Sequence, residues 1–114
     1  YAEATARGGA GSTATAVSLI NELRERAYGD ATGNINSGDL DVAFVMDERA
    51  RELYWEGLRR TDLIRNGQFT ENTYLCPFKG GASQGTGVGK YRELFPFPNN
   101  IISTNPNIKQ NDQY

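Results

Sequence analysis

The chain has 114 residues, no histidine, a single cysteine and a formal net charge of −2, so it is long enough for one domain with a modest core. Its 12 basic and 14 acidic residues are mixed along the chain, which argues against nucleic acid as a partner. No apolar run approaches the roughly 18 residues of a membrane-spanning helix, and without histidine the chain can form neither a Ser-His-Asp triad nor a zinc site of the usual kind.

Two helices separated by a glycine-rich break are predicted at the start of the chain. Residues 1–7 have the composition of a helix, and the glycines of residues 8–11 end it. Ser12 or Thr13 can cap a second helix that runs to about Tyr28. Its apolar residues recur at spacings of three and four, which places them on one face: Ala16, Leu19, Ile20, Leu23 and Ala27. The pattern predicts an antiparallel αα-hairpin.

A third helix is predicted from about Leu40 to Glu56, after a polar loop at residues 29–38. Ser37 or Asp39 can cap this helix, because short polar side chains accept hydrogen bonds from the first free amides. Its expected buried face follows the 3.6-residue period and comprises Val42, Ala43, Met46, Ala50, Leu53, Tyr54 and Gly57.

Two glycines are expected to interrupt or end helices in the next part of the chain. Gly57 is expected to kink or end the third helix. A short fourth helix, from about Arg60 to Arg65, is expected to end at Gly67, since glycine readily adopts the left-handed conformation that follows a helix. From Gln68 onward helical periodicity disappears.

The remainder of the chain is predicted to be irregular. Residues 74–78 are expected to be extended, and the glycine-rich residues 79–90 to be mobile or to make special turns. Residues 95–98 alternate Phe and Pro, which favours an extended backbone. Asn105-Pro106 predicts a turn, and the apolar residues of the tail are expected to attach it to the body: Ile101, Ile102, Ile108 and Tyr114.

The stretch from Glu48 to Asp62 is the densest alternation of charge. Helical spacing predicts three ion pairs: Glu48–Arg51, Arg49–Glu52 and Glu56–Arg60. Glu52 and Glu56 share one stripe, as two hydrolytic carboxylates would, but one helix face rarely supplies the opposed placement across a sugar that glycosidases need. The neighbouring arginines would also keep both groups ionised. A structural ion network is therefore the preferred interpretation, with an anion clamp and a catalytic pair as alternatives.

Aromatic residues offer two candidate binding surfaces. Phe44 and Trp55 lie opposite the main apolar face of the third helix, where a second packing surface is preferred over a sugar-stacking one. Five further rings frame the glycine-rich loop: Tyr74, Phe78, Tyr91, Phe95 and Phe97. A small core beneath the loop is preferred there over a carbohydrate platform.

Nucleotide, metal and thiol chemistry find little support. Gln84 and Tyr91 stand where a phosphate-binding loop needs Gly and Ser or Thr. The aspartates at 30, 39 and 41 lack the spacing of a calcium loop. Cys76 has no histidine base and is expected to be a small buried side chain. The sequence assigns no catalytic residue, no metal ligand and no cofactor.

Four segments of the chain stand out when they are taken in order. They are Tyr1–Ala4 with Ile20–Ala27, Glu48–Leu53 with Glu56–Arg60 and Asp62-Leu63, Leu94–Pro98, and Asn105–Tyr114. Together they resemble the motifs of the SusD/RagB-like family of outer-membrane nutrient-binding lipoproteins from Bacteroidetes. Leu58 departs from the family, where His is frequent, and Asp112-Gln113 replaces a frequent Pro-Gly.

This resemblance implies a mainly α fold, an α-α superhelix of tetratricopeptide-like helix pairs followed by an irregular Gly/Pro-rich C-terminal region. It implies a non-catalytic nutrient-binding protein, expected to take oligosaccharides, that is lipid-anchored at the surface of the outer membrane and works with a SusC-like TonB-dependent transporter. The motif residues look architectural in that family.

Members of the family carry ligand contacts on variable loops, so no ligand-binding residue is transferred to this chain. Residues 1–114 are expected to be the C-terminal portion of such a protein, with the N-terminal part and the lipid anchor lying outside this chain. The alternative is a helical protein–protein interaction module without direct glycan binding.

Overall fold

The computed structural model describes residues 1–114 and is helical, with no β-strand, which confirms the mainly α fold. The α-helices are α1 (Ala2–Ala6), α2 (Thr13–Tyr28), α3 (Val42–Glu52), α4 (Arg59–Arg65) and α5 (Asn99–Thr104). Short 3₁₀ turns occur at Ala31–Gly33, Ser37–Asp39, Lys79–Gly81 and Lys90–Glu93. The chain forms two compact units, Tyr1–Arg59 and Arg60–Tyr114. None of its helices combines the length and the apolar character needed to cross a bilayer.

The two helices of the predicted αα-hairpin, α1 and α2, are present in the first unit and contact each other. The Ser12 hydroxyl accepts a hydrogen bond from the Thr15 amide at 3.4 Å, and its own amide donates to the Tyr1 hydroxyl at 2.8 Å. Helix α2 ends at Gly29, which has a φ of 82°. A serine at the N-terminus and a left-handed glycine after the last turn therefore set both ends of α2.

The core of the first unit is small and draws on α2 and α3. It consists of Ala16, Ile20, Val45 and Met46, each less than 6% exposed. The predicted face of α2 is right at Ala16 and Ile20 but wrong at its edges, since Leu19 is 42% exposed and Ala27 is exposed. With only five residues in α1, little surface is available to cover the flanks of α2.

Helix α3 is shorter than predicted. It begins after Asp41, whose carboxylate accepts from the Phe44 amide at 2.7 Å. The predicted caps Ser37 and Asp39 instead belong to a separate 3₁₀ turn. The helix ends at Glu52, because the following turn contains Trp55 with a φ of 68° and Gly57 with a φ of 75°.

The predicted buried face of α3 is only partly right. Val45, Met46 and Glu48 are buried, whereas Ala43 and Tyr54 of the predicted face are exposed. Tyr54 was misplaced because the prediction extended the helical period beyond Glu52, where the helix ends. Ala43 and Val45 lie inside the helix, so at its start the predicted face is offset from the buried one.

The predicted end of α4 is confirmed. Gly67 has a φ of 65°, its amide donates to the Ile64 carbonyl at 2.9 Å, and the Gln68 amide donates to the Leu63 carbonyl at 2.8 Å. This pair of bonds is the Schellman arrangement, in which a left-handed residue lets the chain satisfy the last free carbonyls.

The C-terminal tail is attached mainly by polar side chains. The Gln110 amide group bonds both the N–H and the C=O of Phe97 at 2.9 Å, and Tyr114 donates to the Leu94 carbonyl at 2.8 Å. The predicted turn at Asn105 is present, since the Ile108 amide donates to its carbonyl at 3.1 Å. Helix α5 was not predicted. Of the four expected apolar anchors, Ile102 and Ile108 are half-buried, while Ile101 and Tyr114 are more than 40% exposed.

Candidate functional site

Glu48 is the centre of an ion network that joins α2 to α3. Only 8% exposed, it accepts from Arg24 at 2.6 Å and from Arg51 at 2.6 and 3.1 Å. The Glu48–Arg51 pair was predicted, but the pair with Arg24 was not, because nothing in helical spacing reports a residue 24 positions away. Arg24 also donates to the Gly33 carbonyl and lies over the Phe44 ring at 5.6 Å.

The other glutamates of this stretch do not form a carboxylate pair. Glu52 is bound by Arg26 of α2, and this contact raises the pKa of the Arg26 guanidinium through a hydrogen bond and charge attraction. Glu56 lies beyond the end of α3 and is exposed, so the helical register needed for the predicted pair with Arg60 is absent. The stripe that Glu52 and Glu56 were predicted to share is therefore not formed.

The arginines of the motif make structural contacts within their own units. In the first unit, Arg59 donates to the Met46 carbonyl at 2.9 Å. In the second, Arg60 donates to the carbonyls of Arg92 and Glu93 at 2.9 and 3.0 Å. Its guanidinium also lies over the rings of Phe95 and Phe69, at 4.0 and 5.0 Å. A cation held between rings and carbonyls fixes the backbone at the start of the Phe-Pro segment.

The second packing surface expected on α3 is present only at Phe44. That ring is half-buried, whereas Trp55 is 88% and Tyr54 is 75% exposed. Their rings contact each other edge to face, with centroids 6.2 Å apart. Trp55 lies three residues beyond the end of α3 and has a left-handed conformation, so the helical projection misplaced it.

The rings around the glycine-rich loop divide into two groups. Tyr74 and Tyr91 are half-buried, but Phe78, Phe95 and Phe97 are 74%, 72% and 42% exposed. The predicted core beneath the loop is therefore wrong for the three phenylalanines. Phe78 has a φ of 65° and stands in a turn, so the predicted extended segment at residues 74–78 is also wrong.

Lys79 organises the glycine-rich loop. Its ammonium group donates to three carbonyls, those of Gln68, Glu71 and Tyr74, at 3.1, 2.7 and 2.6 Å. Its own carbonyl accepts from Thr86 at 3.0 Å. The loop thus makes special turns around one cation, which was the second of the two predicted behaviours. A lysine has three donors, and all three are used here.

A pocket of about 390 Å³ opens beside this lysine, within the second unit. Its apolar wall includes Leu63, Phe69 and Tyr74, and its two charged lining residues are Lys79 and Arg92. This volume lies in the range of small-molecule pockets, which are mostly apolar with a few placed polar groups. The pocket could not be predicted from the sequence, because its walls come from α4, from residues 69–76, from the glycine-rich loop and from the 3₁₀ turn Lys90–Glu93.

Cys76 lines the same pocket and is exposed. The prediction that it is a small buried side chain is therefore wrong, because the turn at Phe78 keeps this part of the chain at the surface. No group of three or more Cys, Asp or Glu side chains is placed to hold a metal ion.

Comparisons with known proteins agree with the motifs. The model of the SusD family matches residues 1–114. The starch-binding protein SusD of Bacteroides thetaiotaomicron is 45% identical over 95 residues, which are 83% of this chain and 16% of that protein.

A solved structure, surface glycan-binding protein A from Bacteroides thetaiotaomicron, superimposes with a TM-score of 0.71 and 28% identity. The match covers 97% of this chain and 22% of that one. The chain thus spans less than a quarter of the length of either relative. Because the family match extends over every residue, the chain belongs to the SusD family.

Proposed function

We propose that this chain is part of a non-catalytic glycan-binding protein at the cell surface. The observation that carries the proposal is the match of the whole chain to the SusD family, together with relatives named for starch and glycan binding. Fold alone would not suffice, since one fold hosts many functions, but here the sequence likeness accompanies the structural one.

The geometry of the carboxylates supports a role without catalysis. Glu48 and Asp62 are the two buried carboxylates, and each is bound by an arginine: Arg51 and Arg24 hold Glu48, and Arg65 holds Asp62 at 3.0 Å. Both carboxylates are thus engaged by arginines of the fold, whereas a general acid must lie within hydrogen-bond reach of the substrate atom that it protonates. These groups therefore serve the fold better than they would serve proton transfer.

The wider setting belongs to the same proposal. Because the chain spans a small share of its relatives, we infer that it is the C-terminal portion of a longer protein. That protein would be lipid-anchored at the outer membrane and would deliver glycans to a SusC-like TonB-dependent transporter. The order of the motifs in the chain supports this placement.

Isothermal titration of the full-length protein tests the proposal. A panel that includes maltooligosaccharides and other neutral and acidic oligosaccharides should yield at least one saturable ligand, and the ligand should be recovered chemically unchanged. Absence of binding across the panel would count against the glycan function, and ligand turnover would count against the non-catalytic one.

A protein-interaction module is the second candidate, and the exposed Tyr54–Trp55 pair favours it. Exposed tryptophan and tyrosine are enriched at protein interfaces. Affinity purification of the full-length protein from its own membranes should recover a TonB-dependent transporter under the first proposal as well. Recovery of the transporter together with the absence of any glycan ligand would favour this second candidate.

A further inference from the structure

We propose that the pocket beside Lys79 is a binding site for a uronic acid unit of an acidic oligosaccharide. This proposal rests on the glycan-binding function proposed above and specifies a ligand class for it. Three features carry it: the size of the pocket, the chemistry of its apolar wall and the sign of its charge.

The wall suits the carbon face of a sugar ring. Leu63, Phe69 and Val88 supply apolar surface, and Tyr74 adds a half-buried ring. A pyranose presents C–H groups on its faces and hydroxyl groups at its edge, so it matches an apolar wall with polar groups at the mouth. At about 390 Å³ the pocket is large enough for one sugar unit.

The charge of the pocket selects among sugars. Lys79 and Arg92 are its charged lining residues and both are cations, although the chain as a whole has a formal net charge of −2. Lys79 cannot donate to a ligand without releasing a carbonyl, so it contributes only an electrostatic field.

Arg92 supplies the directional contact. Its backbone carbonyl is held by Arg60 at 2.9 Å; the residue as a whole is exposed, and its guanidinium lies 5.5 Å from the centre of the Tyr91 ring. The planar fork of a guanidinium matches the two oxygens of a carboxylate. Arg92 therefore recognises the carboxylate, and the apolar wall receives the ring.

The test compares trigalacturonate and triglucuronate with neutral maltotriose, using the full-length protein. We expect one or both uronates to bind, and we expect Arg92→Gln to raise their Kd by about fivefold, the effect of an exposed charge pair worth about 1 kcal/mol. Lys90→Gln is the matched control, because Lys90 is an exposed cation on the same 3₁₀ turn but lies outside the pocket. It should leave the Kd unchanged.

Cys76 gives a local readout of occupancy. Bound uronate should slow the labelling of Cys76 by a maleimide, and peptide mass spectrometry measures the extent of that labelling. At a uronate concentration near the Kd of the unmodified protein, the protection should be weaker in Arg92→Gln and unchanged in Lys90→Gln.

Three results separate the two proposals. Binding of neutral glycans without uronate binding overturns the uronate site and leaves the glycan function intact. Uronate binding whose Kd is unchanged by Arg92→Gln, or that does not slow the labelling of Cys76, also overturns the uronate site alone. Failure of every glycan to bind overturns both.

Discussion

Replacing Glu48 by Gln should destabilise the α2–α3 contact strongly, although the change removes only a charge. Glu48 and Arg24 have side chains that are 11% and 14% exposed, and one carboxylate oxygen accepts from both Arg24 and Arg51. Losing one partner of a buried pair typically costs 3–5 kcal/mol. Here Arg24 keeps the Gly33 carbonyl and the neighbouring rings, so we expect the lower figure of about 2–3 kcal/mol.

Hydrogen–deuterium exchange of the full-length protein measures this effect locally. A loss of about 2–3 kcal/mol corresponds to roughly 30- to 160-fold faster exchange of the α3 amides, since 1.36 kcal/mol is a factor of ten. Glu52→Gln is the matched control: it also removes one α3 carboxylate paired with an arginine of α2, but Glu52 and Arg26 are 33% and 65% exposed. Solvent screens such a pair, so its loss should change exchange much less.

The test compares the exchange rates of the α3 amides in the two variants. If the α3 amides exchange no faster in Glu48→Gln than in Glu52→Gln, then burial does not govern the strength of this network and the reasoning is refuted. The comparison also tests the structural interpretation of the motif, because loss of stability without loss of glycan binding is expected from an architectural residue.

Three further predictions concern other parts of the chain. Asp41→Ala should cost about 1 kcal/mol of local stability at the start of α3, where its carboxylate caps the Phe44 amide, and amide exchange there would show it. Lys79→Met should loosen the glycine-rich loop, because three carbonyls lose their donor; unchanged exchange at residues 82–88 would contradict this. Hydrogen bonds from the Thr32 hydroxyl and amide lower the pKa of Asp30. The stabilisation that Asp30 gives to this turn is therefore complete above the ordinary aspartate pKa and is lost as the pH falls through the lowered pKa. The protection factors of the amides at Ala31–Gly33, which are corrected for the intrinsic pH dependence of amide exchange, should therefore fall in acid, and Asp30→Asn should abolish that fall.

Local signals in the sequence determined the helices and their ends where a single residue sets the backbone. Ser12, Gly29 and Gly67 each act on groups within a few positions of themselves, so the limits of α2 and the end of α4 could be read directly. The family could also be read from four ordered motifs, because identity is carried by residue order and does not require three-dimensional placement.

The tertiary structure decided which charges meet and which rings are covered. Arg24 reaches Glu48 across 24 positions, and the pocket beside Lys79 draws its walls from segments up to 29 residues apart, from Leu63 to Arg92. Periodicity reports only neighbours along one helix, so neither could be predicted. Trp55 was misplaced because its position was projected on a helix that in fact ends three residues earlier, at Glu52.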